Sequence, residues 1–243
     1  MPSLLVINPN TSESISLLLQ QHIRQETRDA LDVRTITARF GAPYISSEAS
    51  YAVANHTVLD AWAVALTQRP KPDAVLIGCF GDPGLFALRE GAGVPVSGLA
   101  EAAFSAAAWH GRFAVVTGGA RWRPMLSRLA SALGHTETLA GIHTVKQTGA
   151  ELAADPAAAR RVLAQACRDA AERFDAQAII LGGAGLAGMA SCISDDVPVP
   201  LIDSVQAGAQ WALGAVRNAD KAPAESGFGV AWENVSWEMA ALP

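Results

Sequence analysis

Charge and cysteine are both scarce in this chain. Charged residues make up 17% of the 243 positions, and 18 Lys plus Arg against 23 Asp plus Glu leave a net charge of −5 with no block of either sign. Nucleic acid and anionic membranes are bound through clustered Lys and Arg, so neither is an expected partner. With 50% hydrophobic residues, the chain buries enough apolar surface to offset its conformational entropy, which excludes disorder. The three cysteines, Cys79, Cys167 and Cys192, are odd in number and give no disulfide framework. No CxxC or HExxH spacing occurs and the five His stand far apart, so no metal site is expected. Long hydrophobic runs are missing as well. The longest nearly uncharged stretch, 176–194, is diluted by Gln177, two Ser and four Gly, too polar for the roughly 20 apolar residues of a membrane span. The opening MPSLLVINPNTS has no basic region and no cleavage site after an apolar run, so the expected location is cytoplasmic.

What is present is an alternation of short apolar runs and longer helical patterns. Leu4–Ile7, residues 31–38, residues 73–78 and Pro95–Gly98 read as strands, with helices expected over 12–27, 47–68 and 101–109. Continuous apolar strands separated by helices indicate a parallel sheet buried on both faces, hence an α/β fold. The pattern then repeats. Val6-Ile7-Asn8 aligns with Val115-Val116-Thr117, and Ala74–Cys79 with Ala178–Gly183, while Pro95-Val96 meets the segment Pro198–Leu201. A duplicated unit follows: two pseudo-symmetric parallel-sheet α/β domains, 1–98 plus 205–243 and 99–204, with an active site expected in the cleft between them. The tail from Lys221 is expected to pack over the first half.

In open α/β sheets ligands sit at the carboxyl ends of strands, and four such ends carry unusual residues. The first, Asn8-Pro9-Asn10-Thr11-Ser12, reads either as an ordinary turn and helix cap or as an anion-binding helix start. The second is Cys79-Phe80-Gly81-Asp82-Pro83-Gly84. Most free cysteines are small buried hydrophobes, but this one stands ahead of a turn that opens a helix, a position expected to lower the thiol pKa. Cys167 and Cys192 are expected to be structural. The third end is Thr117-Gly118-Gly119. The fourth, Gly183-x-Gly185-x-x-Gly188 with Asp203 twenty residues on, has the spacing of a dinucleotide-binding loop. That reading, an NAD(P)-binding oxidoreductase, competes with the repeat, whose other copy at Cys79 has no phosphate cradle.

Taken together, INPNTS, IGCFGDPGL, VVTGG, LGGAGLAGM and PLIDSV resemble the aspartate/glutamate/hydantoin racemase superfamily, nearest to its hydantoin and allantoin racemases. The resemblance covers Leu4 to about Leu213. It implies two α/β domains around a cofactor-free site in which one cysteine from each domain flanks a stereocentre, one thiolate removing the proton α to a carbonyl and the other thiol returning one. Cys79 matches the first cysteine; Gly183 stands where the second is expected. The resemblance further implies substrate contacts from Asn8, Pro9, Asn10 and Ser12, from Phe80, Gly81, Thr117, Gly118, Ala184 and Gly185, and an apolar wall at Ile45. The expected activity is a cofactor-independent racemase or isomerase of hydantoin-type amino-acid derivatives with Cys79 as acid/base. The alternatives are a single-cysteine decarboxylase of the arylmalonate type and the oxidoreductase built on Gly183, Gly185, Gly188 and Asp203. The expected partner is a small molecule (a hydantoin, an amino-acid derivative or a carboxylate), with a homo-oligomer left open.

Overall fold

The computed structural model describes residues 1–28, 30–68, 70–147, 151, 155–217 and 227–242. The chain divides into two compact units, Met1–Gly98 with Ala209–Pro243, and Leu99–Gly208. The first unit holds β1 (Ser3–Asn8), α1 (Glu13–Thr27), β2 (Asp32–Thr37), α2 (Glu48–Gln68), β3 (Ala74–Ile77), α3 (Leu85–Gly91) and β4 (Val96–Gly98). The second begins with α4 (Leu99–Ala108), β5 (Phe113–Gly118), α5 (Trp122–Ala132) and β6 (Leu139–Val145), and continues with α6 (Pro156–Phe174), β7 (Ala178–Gly182), α7 (Met189–Ile193) and β8 (Leu201–Asp203). Helix α8 (Ser204–Arg217) follows, and α9 (Trp237–Ala240) lies near the C-terminus.

Each unit contains one four-stranded, all-parallel sheet, ordered β2-β1-β3-β4 and β6-β5-β7-β8. The central strands β1, β3, β5 and β7 are buried almost throughout, because runs such as LLVI and AIIL offer no polar side chain to a solvated face. The duplication is written into the register. Leu4 pairs with Ala74 and Ile7 with Ile77, while Phe113 pairs with Ala178 and Val116 with Leu181, so β1 maps on β5 and β3 on β7 as the sequence alignment requires. For the last strand the alignment shifts by one. Val75 pairs with Val96 and Ile179 with Leu201, which matches Pro95 to Pro200 and starts β8 at Leu201 rather than at Pro198. The carbonyls of both prolines accept strand N–H groups, from Val75 and Ile179, at 2.9 Å.

Sequence reading found no strand at 139–145, where β6 pairs with β5 in the place that β2 takes beside β1. LAGIHTV is half-buried along most of its length, so its apolar pattern is weak. The Ser12 cap also differs from expectation. Ser12 has extended geometry at the α1 N-terminus, but its side chain makes no capping bond and its hydroxyl instead meets Ser14 Oγ at 2.9 Å.

Of the tail expected to cover the first half, 218–226 and Pro243 lie outside the described residues. Segment 227–242 does pack there: α9 contacts α2, and a Cβ on Gly91 would run into the ring of Phe228. An ion triad fastens it. The Arg39 guanidinium donates to both carboxylate oxygens of Asp60, at 2.8 and 2.7 Å, and to both of Glu238, each at 3.0 Å. Burial pulls the Asp60 carboxyl up, but hydrogen bonds from Arg39 and Ser236 and the Arg39 charge outweigh it and hold the group below its ordinary value. A depressed carboxylate stabilises the fold above its unfolded pKa and stops doing so as pH falls through the folded one. Replacing Arg39 with Ala strands the buried Asp60, so urea unfolding should show a loss of about 1–3 kcal/mol at neutral pH, shrinking in acid. Amides of 237–240 should exchange faster with solvent in the same variant; an unchanged exchange pattern would show that the triad does not hold the tail.

Candidate active site

The carboxyl edge of the first sheet is built around Asn8, the last residue of β1. Its side chain is fully buried, with Nδ2 donating to Asn10 Oδ1 (3.1 Å), Ser12 O (3.0 Å) and Ser16 Oγ (2.9 Å), while Oδ1 accepts from Asn10 N (3.2 Å). The Asn8 side chain is thus bonded within the loop that it shapes. Asn10 is different. Its Oδ1 is occupied by Asn8 Nδ2 and by Ser12 N at 2.9 Å, so the amide must turn its NH2 outward, and among the described residues Nδ2 has no partner. Ser12 contributes its backbone N–H and carbonyl to this loop. The Pro9 carbonyl accepts from Thr57 Oγ1 at 2.9 Å. Ile45 is buried.

Cys79 stands two residues past the end of β3, beyond Gly78, whose N–H donates to the Ile7 carbonyl at 2.8 Å. Its loop is tight. Asp82 N–H closes a turn onto the Cys79 carbonyl at 3.1 Å, Tyr51 Oη donates to the Gly81 carbonyl at 2.7 Å, and Gly84 N–H donates to Asn55 Oδ1 at 2.6 Å. Helix α2 thus holds both strand-end loops through Tyr51, Asn55 and Thr57. Sequence reading missed these three, although polar groups in an Ala- and Val-rich helix were a usable signal.

The thiol itself overturns one expectation. Cys79 is only 7% exposed, and burial first, the Asp82 carboxylate second, push its pKa well up. The expected lowering fails because α3 opens only at Leu85 behind its N-cap Gly84, too far along to solvate a thiolate at Cys79. Cys167 is buried in the second core and pushed up to about 12, mainly by desolvation. Cys192, expected to be structural, is exposed, with Sγ at 3.5 Å from the Gly188 carbonyl and 3.6 Å from Arg160 Nη2.

The carboxyl edge of the second sheet carries Thr117 and Gly118 at the end of β5 and Gly183 just past β7. Thr117 is 5% exposed, and its hydroxyl has no partner among the described residues. Gly183 donates to Ser204 Oγ at 3.2 Å and accepts from Leu186 N–H at 2.9 Å, starting the 3-10 turn Ala184–Leu186. The N–H groups of Ala184 and Gly185 are likewise unpaired among the described residues. The Gly183 backbone has φ +144°, where L side chains are rare, although a Cβ there would meet nothing closer than Leu186 at 3.6 Å. Space exists at this position, but the backbone is set for glycine.

The dinucleotide reading loses its acidic residue here. Asp203 accepts from Gly188 N–H (2.8 Å) through Oδ2, and from Val205 N–H (2.8 Å) and Gln206 N–H (3.2 Å) through Oδ1. A buried carboxylate that already accepts three backbone N–H groups is committed to the glycine turn and the helix start rather than presented to a ribose. The glycine loop also leads into a helix of five residues, α7. Among the described residues no cluster of His, Cys, Asp or Glu could hold a metal ion, and no helix is long and apolar enough to cross a membrane.

Two parallel-sheet units with polar loops at their strand ends, one of them carrying a buried thiol, define an α/β enzyme of the racemase class, an isomerase. The chain belongs to the Asp/Glu/hydantoin racemase family, whose model matches residues 4–212. It is 34% identical over 205 residues to a hydantoin racemase of Paenarthrobacter aurescens, covering 84% of this chain and 86% of that one. A second hydantoin racemase, from Pseudomonas sp. (strain NS671), is 31% identical over 208 residues, 85% and 83% of the two chains. Among solved structures, allantoin racemase from Klebsiella pneumoniae superposes with a TM-score of 0.87 at 28% identity, covering 100% of this chain and 99% of its own. An arylmalonate decarboxylase variant shares the fold at TM-score 0.67 and 17% identity, over 90% and 94% of the two chains.

Alkylation at neutral pH followed by peptide mapping should mark Cys192 first and leave Cys79 and Cys167 largely untouched, since exposure and thiolate fraction set the rate. Fast labelling of Cys79 would mean that its loop opens readily. Gly183→Ala should cost about 1–3 kcal/mol in urea unfolding through its backbone alone; a neutral substitution would show that the loop relaxes freely.

Proposed function

We propose that this protein is a cofactor-independent racemase of a small carbonyl compound with an acidic α-hydrogen, of the hydantoin or allantoin kind, and that Cys79 is its acid/base. The observation that carries this reading is a buried thiol at the strand end of a chain in the racemase family. The Cys79 thiolate takes the α-hydrogen and the C–H electron pair becomes an enolate; a proton returned by the resulting thiol restores the starting centre, whereas a proton taken from water on the opposite face inverts it and leaves the thiol to release its proton to solvent. The raised thiol pKa makes the thiolate the minor form near neutrality, a cost for a general base, whose best pKa lies near the working pH.

The enolate oxygen needs donors already aimed and shielded from water. In the unit that carries Cys79, Asn10 Nδ2 and the Gly81 N–H are donors with no partner among the described residues. Donors of this kind favour a ligand rich in carbonyls, as hydantoins and carboxylates are. Gly183, the counterpart of Cys79 in the repeat, has no group that can carry a proton. That feature favours a second reading, in which a leaving carboxylate creates the carbanion and Cys79 protonates it, as in a decarboxylase of the arylmalonate type.

Polarimetry on single enantiomers of allantoin and of a 5-substituted hydantoin separates the two. The racemase reading expects the optical rotation to decay with added enzyme, faster as pH rises from 7 towards 9 while more thiolate forms, and to slow by roughly 10²- to 10⁴-fold in Cys79→Ser. Carbon dioxide release from an aryl-substituted malonate, with no decay of rotation for either hydantoin, would instead establish the decarboxylase.

A further inference from the structure

The two units place a buried carboxylate in the same spot by different routes. In the second unit it comes from the end of β8: Leu181 pairs with Asp203, whose carboxylate reaches back to the Gly188 N–H. The corresponding pair in the first unit is Ile77 with Gly98, so β4 ends without a side chain where β8 ends with Asp203. That place is not empty. A Cβ on Gly98 would lie 2.7 Å from Asp82 Cβ and nearer still to its Cγ and Oδ1. Asp82 fills it from the Cys79 loop, three residues after the thiol. The glycines that begin the following helices also correspond, Gly84 at φ 74° and Gly188 at φ 76°, so the exchange of carboxylates occurs within otherwise matching loops.

From this we infer that Asp82 is a positioning residue for Cys79, a carboxylate seated in the slot left by Gly98 so that the loop bearing the thiol carries its own negative charge. The seat is firm. Asp82 is 2% exposed and holds a left-handed backbone, φ 50°, uncommon for a residue with a side chain. Its N–H bonds to the Cys79 carbonyl. Of the other charges near the loop, Glu90 lies against Gly227, Asp60 of α2 is held by Arg39, and the bonds of Arg89 of α3 include those to the Val96 carbonyl. His56 of α2 meets the Phe40 ring edge-on, and Tyr51 is bonded to the Gly81 carbonyl. Burial comes first in raising the Cys79 thiol, and the Asp82 charge adds to it. By repelling a thiolate, it turns Cys79 into a weaker acid and its conjugate into a stronger base. The Gly183 loop carries no such carboxylate and no thiol.

The inference rests on Cys79 as the proton carrier but is tested without turnover. Thiolate formation is followed by ultraviolet absorbance against pH, taking the difference between the protein and its Cys79→Ser variant, each with and without Asp82→Asn. Removing the charge with an isosteric amide should lower the Cys79 pKa by roughly one unit, giving about tenfold more thiolate at a given alkaline pH. An unmoved titration would overturn the proposal, whether or not the protein racemises anything. A shifted titration in a protein that racemises nothing would leave the proposal standing and remove the racemase reading. The slot is tested separately. Gly98→Ala should lower the melting temperature by displacing Asp82, and Asp82→Gly added to it should restore most of the loss. A Gly98→Ala protein as stable as its parent, with the same Cys79 titration, would show that the slot does not seat the carboxylate.

Discussion

A strand buried on both faces has one place to present a reactive group, its end. In β1, β3, β5 and β7 nearly every side chain is enclosed, so a polar or reactive group inside them would face desolvation without compensation. The chemistry is thereby pushed to the first residues past the carboxyl ends, where backbone N–H groups point away from the sheet and the next helix begins. Asn8, Cys79, Thr117 and Gly183 all stand at such ends. Helix α2 then stiffens the first unit's loops with bonds from Thr57, Tyr51 and Asn55 to Pro9, Gly81 and Gly84.

Burial sets the character of the thiol as well as its place. An exposed cysteine ionises readily and is a modest base, whereas one enclosed beside a carboxylate ionises late and binds its proton tightly. Cys79 is of the second kind. The thiol open to alkylating reagents is Cys192, and the thiol at the end of β3 is enclosed.

The repeat was legible because buried parallel strands have a restricted vocabulary: LLVI, AVLI and AIIL stand out against helices rich in Ala and charge. The same logic explains why β6 was missed, since an edge strand with half-buried residues keeps no such run. The strand-end motifs could be found but not their internal bonding. Asn8 and Asn10 are the same residue type two positions apart, yet one is consumed by the loop and the other is open. Nothing in INPNTS distinguishes them, because the distinction depends on Ser16, eight residues on, and on the Ser12 backbone. The thiol pKa was misjudged for a similar reason. A turn before a helix suggested a helix-dipole effect, while the burial and the neighbouring charge that decide the matter come from packing.

The central claim is that one thiol, Cys79, carries the proton and that the Gly183 side of the repeat carries none. Incubating each enantiomer of a 5-substituted hydantoin with the protein in D2O, and measuring deuterium uptake and optical inversion together, tests this directly. A single proton carrier predicts that one enantiomer gains deuterium at carbon faster than it inverts, and that uptake collapses in Cys79→Ala. Uptake and inversion at equal rates from both enantiomers, or uptake that survives the loss of Cys79, would contradict it.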